Sequence, residues 1–162
     1  MSEASVCVGI DLGTTTTGIA LYNLDTNKAE VIGKKLIPSI VKLSVDPKKP
    51  VRVGEAANRQ MGRDYFLVYD AKRIIGRKLN DENVDLIRNL YSTFELTSDM
   101  RGQATIRLRT KNAFRDLKPQ QISAEVLKEI LRVFKDKMYP AGNCPNVKAV
   151  ITIPGLYYFL KT

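Results

Sequence analysis

Residues 119–154 place the tightest limit on the fold. "PQQISAEVLKEILRVFKDKMY" puts Ile122, Val126, Leu127, Ile130, Leu131, Phe134 and Met138 at helical spacing. Pro119 follows Lys118 at a first helical position. "YPAGNCPN" then breaks the chain, and "VKAVITIP" (147–154) is a near-continuous apolar, β-branched strand. A helix that feeds a buried strand is half of a crossover unit, so this strand is expected to run parallel to an earlier one. The earlier one is residues 5–10, a run apolar at consecutive positions, the pattern of a strand inside a sheet and covered on both sides. The fold class that follows is α/β.

The remaining elements fill in around that frame. "TTGIALY" (16–22) and "AEVIGK" (29–34) read as strands, separated by the turn cluster "LDTNK", so the chain opens as a three-stranded antiparallel meander. "PSIVKLSV" (38–45) reads as one strand closed by "DPKKP", and "VRVGEAANRQMG" as a short strand running into a helical turn. "DAKRIIGRKL" (70–79) reads as a helix capped by Asp70, and "NVDLIRNLY" (83–91) as a second short helix. Residues 92–110 read as two strands around a polar turn. The pattern contains no repeat and no long linker.

The meander and the later strand bring two loops to one sheet edge. In open α/β sheets, ligands collect beyond the carboxyl ends of strands where connections diverge. Asp11 ends the first strand and Pro154 the last, which sets "DLGTT" beside "IPG". A strand-end Asp followed by Gly13, Thr14 and Thr15 suits an anion and a hydrated Mg²⁺. Glycine permits close approach, successive N–H groups form a concavity, and the carboxylate supplies a hard oxygen. The other reading is a β-hairpin whose threonines serve strand propensity; the five residues alone leave both open. Lys72 is a second candidate, as a cation that neutralises charge during phosphoryl transfer. On a helix, Lys72, Arg73 and Arg77 also read as a solvated face. No G-x-x-x-x-G-K-[ST] or G-x-G-x-x-G pattern is present.

Composition removes several classes. The chain has 162 residues, one domain or one lobe of a larger one, with 44% apolar residues. It has no histidine, which excludes Ser-His-Asp triads, Cys-His dyads and histidine metal sites. Cys7 and Cys144 form no metal spacing and read as free thiols. The net charge of +9 is spread over short groups with no run of five, so solvated faces are favoured over nucleic acid as its explanation. No apolar run reaches the ~18 residues of a membrane span. The opening "MSEASVCVGID" lacks a signal-peptide pattern, and the expected location is the cytoplasm, with the nucleus open.

"VGIDLGTTTTGIALYN", "IPSIVKLS", "VGEAANRQ", "DAKRIIGRKL", "LKPQQISAEVLKEI" and "KAVITIP" occur in this order. Over nearly all of residues 6–154 the chain resembles the opening of the seventy-kilodalton heat-shock (DnaK-type) chaperone family. The resemblance implies a ribonuclease-H-like, actin-like ATPase lobe with a mixed sheet and a smaller α+β insert. Its divisions would be a core at 1–37 and 115–154, an insert at 38–114 and a divergent tail at 155–162. It also implies ATP or ADP with Mg²⁺ as ligands. Gly13, Thr14, Thr15 and Thr16 would contact the phosphates, and Asp11 would hold the ion through water. Lys72 would reach the terminal phosphate and position the attacking water, and Pro154 would relay nucleotide state.

The chain departs from the family pattern at two places. Thr16 replaces the usual aromatic residue, with Thr17 after it, so ring contacts there are lost. After Pro154 the family continues Ala-Tyr-Phe-Asn-Asp-Ser-Gln-Arg, whereas this chain reads "GLYYFLKT". The expected lobe is therefore incomplete at its C-terminus, without a second phosphate loop, an adenosine pocket or a peptide-binding domain. Little ATP hydrolysis and weak ATP affinity are expected of it alone. The expected partners are nucleotide exchange factors or co-chaperones, with unfolded polypeptide bound only by a full-length relative. The alternative is a non-catalytic interaction module. A salt-sensitive nucleic-acid binder and a sugar-kinase relative are the more distant readings.

Overall fold

The computed structural model describes residues 5–23, 26–33, 36–58, 62–88 and 93–152. Strands β1 (Ser5–Leu12), β2 (Thr16–Asn23) and β3 (Lys28–Val31) form the expected antiparallel meander. The short β4 (Ile37–Pro38) pairs with the start of β2. Two further sheets follow. One has the order β6-β5-β7, from β5 (Val41–Ser44), β6 (Arg52–Val53) and β7 (Tyr65–Val68). The other has the order β10-β9-β8, from β8 (Glu95–Ser98), β9 (Ala104–Arg109) and β10 (Phe114–Leu117). Helices α1 (Ala71–Ile74) and α2 (Glu82–Arg88) lie between these sheets in sequence. Helix α3 (Pro119–Met138) leads to β11 (Asn146–Ile151), which pairs parallel with β1, Val6 opposite Val147 and Ile10 opposite Ile151. The crossover expected from the helix–strand pattern is present.

Helix α3 is shared between two cores. Ile122 and Val126, in its first half, pack with Val41, Val68, Ile74, Val84, Ile106 and Leu108 of the middle region. Ile130 and Phe134, in its second half, pack with Val8, Ile10, Ile19 and Ile32 of the main sheet. The helix starts at Pro119, and the Gln121 side chain accepts the Lys118 N–H at 2.8 Å.

Four local expectations change. First, β1 lies inside the sheet but is covered on one face only. Val8 and Ile10 are buried under α3, while Cys7, Gly9 and Asp11 are exposed. A Cβ placed on Gly9 would meet nothing within 4 Å, and Val150 beside it is 77% exposed. Apolar residues at consecutive positions thus mark a strand whose second face has no cover among the described residues. Second, the strand expected at 38–45 splits into β4 and β5. Ser39 turns its N–H and hydroxyl to the β1–β2 loop, and Pro38 has no N–H to continue a ladder. Third, the helix expected at 70–79 is only α1. Asp70 stands at its N-cap with φ 55° and makes no side-chain cap bond, its carboxylate lying 3.8 Å from Arg73. Gly76 (φ 73°) then turns the chain into extended pairing, with Ala104 N–H on the Arg77 carbonyl at 2.9 Å. Fourth, β7 and β10 were not legible, because "YFLV" and "FRDL" lack clean alternation.

Candidate functional site

Gly13, Thr14 and Thr15 connect β1 to β2. The Gly13 N–H folds back to the Asp11 carbonyl at 3.1 Å. A Cβ on Gly13 would stand 2.0 Å from the Thr16 carbonyl oxygen, so only glycine fits this approach. The Thr14 and Thr15 N–H groups meet no acceptor among the described residues. Free N–H groups in a tight turn are what an anion requires.

Three distant segments converge on the turn. From α1, the Lys72 ammonium donates to the carbonyl of Leu12, the residue just before Gly13. Lys72 is half-buried, and α1 is held by Ala71 and Ile74 packing in the same core as Ile122 and Val126 of α3. From just past β11, the Thr152 hydroxyl donates to Asp11 Oδ1 at 2.9 Å and accepts the Leu12 N–H at 3.2 Å. Asp11 is exposed and so oriented. From the β4–β5 junction, Ser39 bonds the turn through both its N–H and its hydroxyl.

Leu12, Gly13, Thr14, Ser39, Lys72 and Ser123 help line a cleft of about 10 Å³, the scale of a single water. Lys72 lines it with its ammonium on the Leu12 carbonyl. A larger, open depression of about 490 Å³ lies elsewhere, bordered by Lys78, Leu79, Asp85, Arg88 and Arg101. Its Arg88 already pairs with Asp85 at 3.3 Å and donates to the Leu79 carbonyl, and none of the turn residues reaches it. The convergent chemistry is at the smaller cleft.

Of the sequence candidates, Gly13, Thr14 and Lys72 come together at the cleft; Thr15 completes the loop, Thr16 opens β2, and Asp11 lies beside the turn at the end of β1, on the Thr152 hydroxyl. Arg73 and Arg77 do not join them, since Arg77 pairs with Asp81 at 3.0 Å and donates to the Arg73 carbonyl. Pro154 lies outside the described residues. Sequence reasoning missed Ser39, Thr152 and Ser123. The signals were a lone serine at a strand break ("IPSIV") and a lone threonine in an apolar run ("VITIP"). The Asp11 carboxylate, with the Thr152 hydroxyl on it, is an oxygen donor of the kind a hydrated hard cation takes. Among the described residues no group of three acidic, Cys or His side chains could hold an ion by itself. No described helix is long and apolar enough to cross a membrane.

The chain matches the family model described as Hsp70 protein over residues 7–160. It is 31% identical over 155 residues to a ribosome-associated molecular chaperone of Zygosaccharomyces rouxii, covering 93% of this chain and 23% of that protein. It is 32% identical over 161 residues to a heat shock protein 70 homolog of Acanthamoeba polyphaga mimivirus, covering 93% and 16%. A ribosome-associated molecular chaperone of Saccharomyces cerevisiae is 30% identical over 155 residues, again covering 93% and 23%. The chain therefore spans less than a quarter of the length of these curated relatives. The mixed sheet with its parallel crossover agrees with an actin-like ATPase lobe, and the match runs through nearly every element described above: the chain belongs to the Hsp70 protein family.

Proposed function

We propose that this chain is the phosphate-side half of the ATP site of a heat-shock-type molecular chaperone. The observation that carries the reading is Lys72. It arrives from 60 positions away in sequence and rests on the carbonyl that precedes the Gly-Thr-Thr turn. In this reading Gly13, Thr14, Thr15 and Thr16 hold nucleotide phosphates, and Lys72 transfers from the Leu12 carbonyl to the terminal phosphate and helps place the water. Asp11 orients water on a Mg²⁺ ion, and Pro154 carries nucleotide state to the rest of a chaperone. The bound ion would supply charge neutralisation between phosphate oxygens. The core is assigned to 1–37 and 115–154, the insert to 38–114 and the tail to 155–162.

One side of a cleft neither excludes water nor assembles a two-sided transition-state site. Taken apart from an opposing lobe, the segment 1–162 is expected to bind ATP weakly and to show no meaningful turnover. Calorimetric titration of the full chain with Mg-ATP tests the affinity, and submicromolar binding would contradict it. A steady-state hydrolysis assay tests the turnover. The partners assigned are exchange factors and co-chaperones. A second reading, a non-catalytic interaction module, is favoured by the uncovered sheet face around Gly9 and Val150; pull-down of an intact chaperone or co-chaperone by the chain tests it.

A further inference from the structure

We infer that Ser39 is a positioning residue that sets which way the peptide groups of the Gly13–Thr15 turn face. The inference rests on the phosphate reading of that turn and names a residue it did not contain. Ser39 is 8% exposed and reaches the loop twice. Its N–H donates to the Thr15 carbonyl at 2.8 Å, and its hydroxyl donates to the Gly13 carbonyl at 2.9 Å. Thr17, wholly buried, has its hydroxyl 2.9 Å from Ser39 Oγ. A hydroxyl has one proton, and that of Ser39 is committed to Gly13; Thr17 is therefore the donor in this pair. Thr17 holds Ser39 and Ser39 holds Gly13.

The consequence follows from peptide geometry. In a planar trans peptide the C=O and the following N–H point in opposite directions, and the described chain has no cis bond. Drawing the Gly13 carbonyl to Ser39 sends the Thr14 N–H away from Ser39. Drawing the Thr15 carbonyl there sends the Thr16 N–H away as well. Lys72 holds the preceding carbonyl, of Leu12, from another segment. Three carbonyls of the turn thus have their acceptor atoms engaged by protein donors: Leu12 and Gly13 by side chains, Thr15 by a backbone N–H. An anion approaching the turn meets donors in place of these carbonyls. If the Ser39 hydroxyl is absent, the Gly13–Thr14 peptide loses its tether and can present its carbonyl to the anion, which repels it.

The test uses the full chain, isotope-labelled, with inorganic pyrophosphate as the probe. In Ser39→Ala, without ligand, the Gly13 carbonyl ¹³C and Thr14 amide resonances are expected to shift while those of β9 stay in place. The pyrophosphate dissociation constant read at the turn is expected to rise roughly 5- to 10-fold, the scale of one hydrogen bond. Ser39→Thr, which keeps the hydroxyl, is expected to restore both readouts to within about twofold. Thr17→Val is expected to give the same shifts at smaller amplitude and serves as the measurement if Ser39→Ala does not fold. Unmoved Gly13 and Thr14 resonances in the variants would overturn the role of Ser39, as would unchanged affinity when wild type binds. If wild type shows no response to pyrophosphate at Gly13–Thr16, the phosphate reading fails instead; the ligand-free shifts then still decide whether Ser39 orients the turn.

Discussion

Helix α3 serves two cores that are built differently. In the middle region, two three-stranded sheets and the short helices α1 and α2 enclose Val41, Val68, Val84, Ile106 and Leu108, all wholly buried. In the main sheet, one helix face covers one sheet face, and the other side carries exposed Cys7, Tyr22, Val31 and Val150. The first core is enclosed from several sides, with Ile122 and Val126 of α3 as one wall. The second depends on Ile130 and Phe134, and among the described residues β11 stands at the edge of the sheet, with exposed Val150 on it; an apolar edge of that kind invites pairing with another chain. The candidate site lies on the seam, with Gly13 and Thr14 from one region and Ala71 and Lys72 from the other. Its geometry therefore rests on both.

The largest test of that asymmetry is Phe134→Ala. Phe134 is wholly buried in the smaller core, and its removal is expected to cost about 3–5 kcal/mol. Hydrogen exchange should then show β1 and β2 losing protection well before β5 and β9. Equal loss across all four strands would mean that the two cores unfold as one. Gly13→Ala comes next, at about 1–3 kcal/mol, because the new Cβ overlaps the Thr16 carbonyl. Urea denaturation reads the cost, and a neutral result would show that the turn can open without disturbing either region.

Lys72→Met removes the one side-chain donor that ties α1 to the end of β1 in the described structure. Its expected stability cost is smaller, about 1 kcal/mol, with phosphate affinity lost alongside. Acid separates the regions by another route. The Arg107 side chain bonded to Asp116 holds that carboxyl below its ordinary value, and the Asn83 side chain, then its N–H and Arg77, do the same for Asp81. A lowered folded pKa gives stability that is present above the unfolded value, near pH ~4, and is lost as pH falls through the folded value. Both groups lie in the middle region. Urea midpoints followed from pH 5 to pH 3 by β9 amides should fall more steeply than the same measurement on β1. The smallest effect belongs to Arg132→Ala, on the solvent face of α3. Its contacts to Glu129 and Asp136 are exposed, so a loss below ~1 kcal/mol is expected in thermal denaturation.

What the sequence could reveal divides along similar lines. The crossover was legible because Ile122, Val126, Ile130 and Phe134 repeat at helical spacing and "VKAVITIP" is too apolar for a loop. The turn was legible because Asp11 and Gly13 stand between two strand patterns. Periodicity could not report that α1 stops at Ile74, since Gly76 and the Arg77–Ala104 bond act through backbone geometry and a partner far along the chain. Nor could it report cover on one face or two, which depends on what else packs there. Ser39 and Thr152 stayed hidden for the same reason. A hydroxyl in a strand looks like strand propensity until its acceptor, Gly13 or Asp11, is known.

The bonds around Leu12 and Gly13 also carry an order in time. Ser39 reaches the turn across 26 positions, Lys72 across 60 and Thr152 across 140. The β1–β2 hairpin is local and can form while most of the chain is still being made, but contacts of long sequence separation come late. During synthesis the loop would acquire its partners one by one, first the serine, then the lysine and last the threonine that aims Asp11. A nascent chain would therefore carry the Asp-Leu-Gly-Thr-Thr turn long before all its partners, and the complete set of bonds around it would mark the arrival of β11 beside β1.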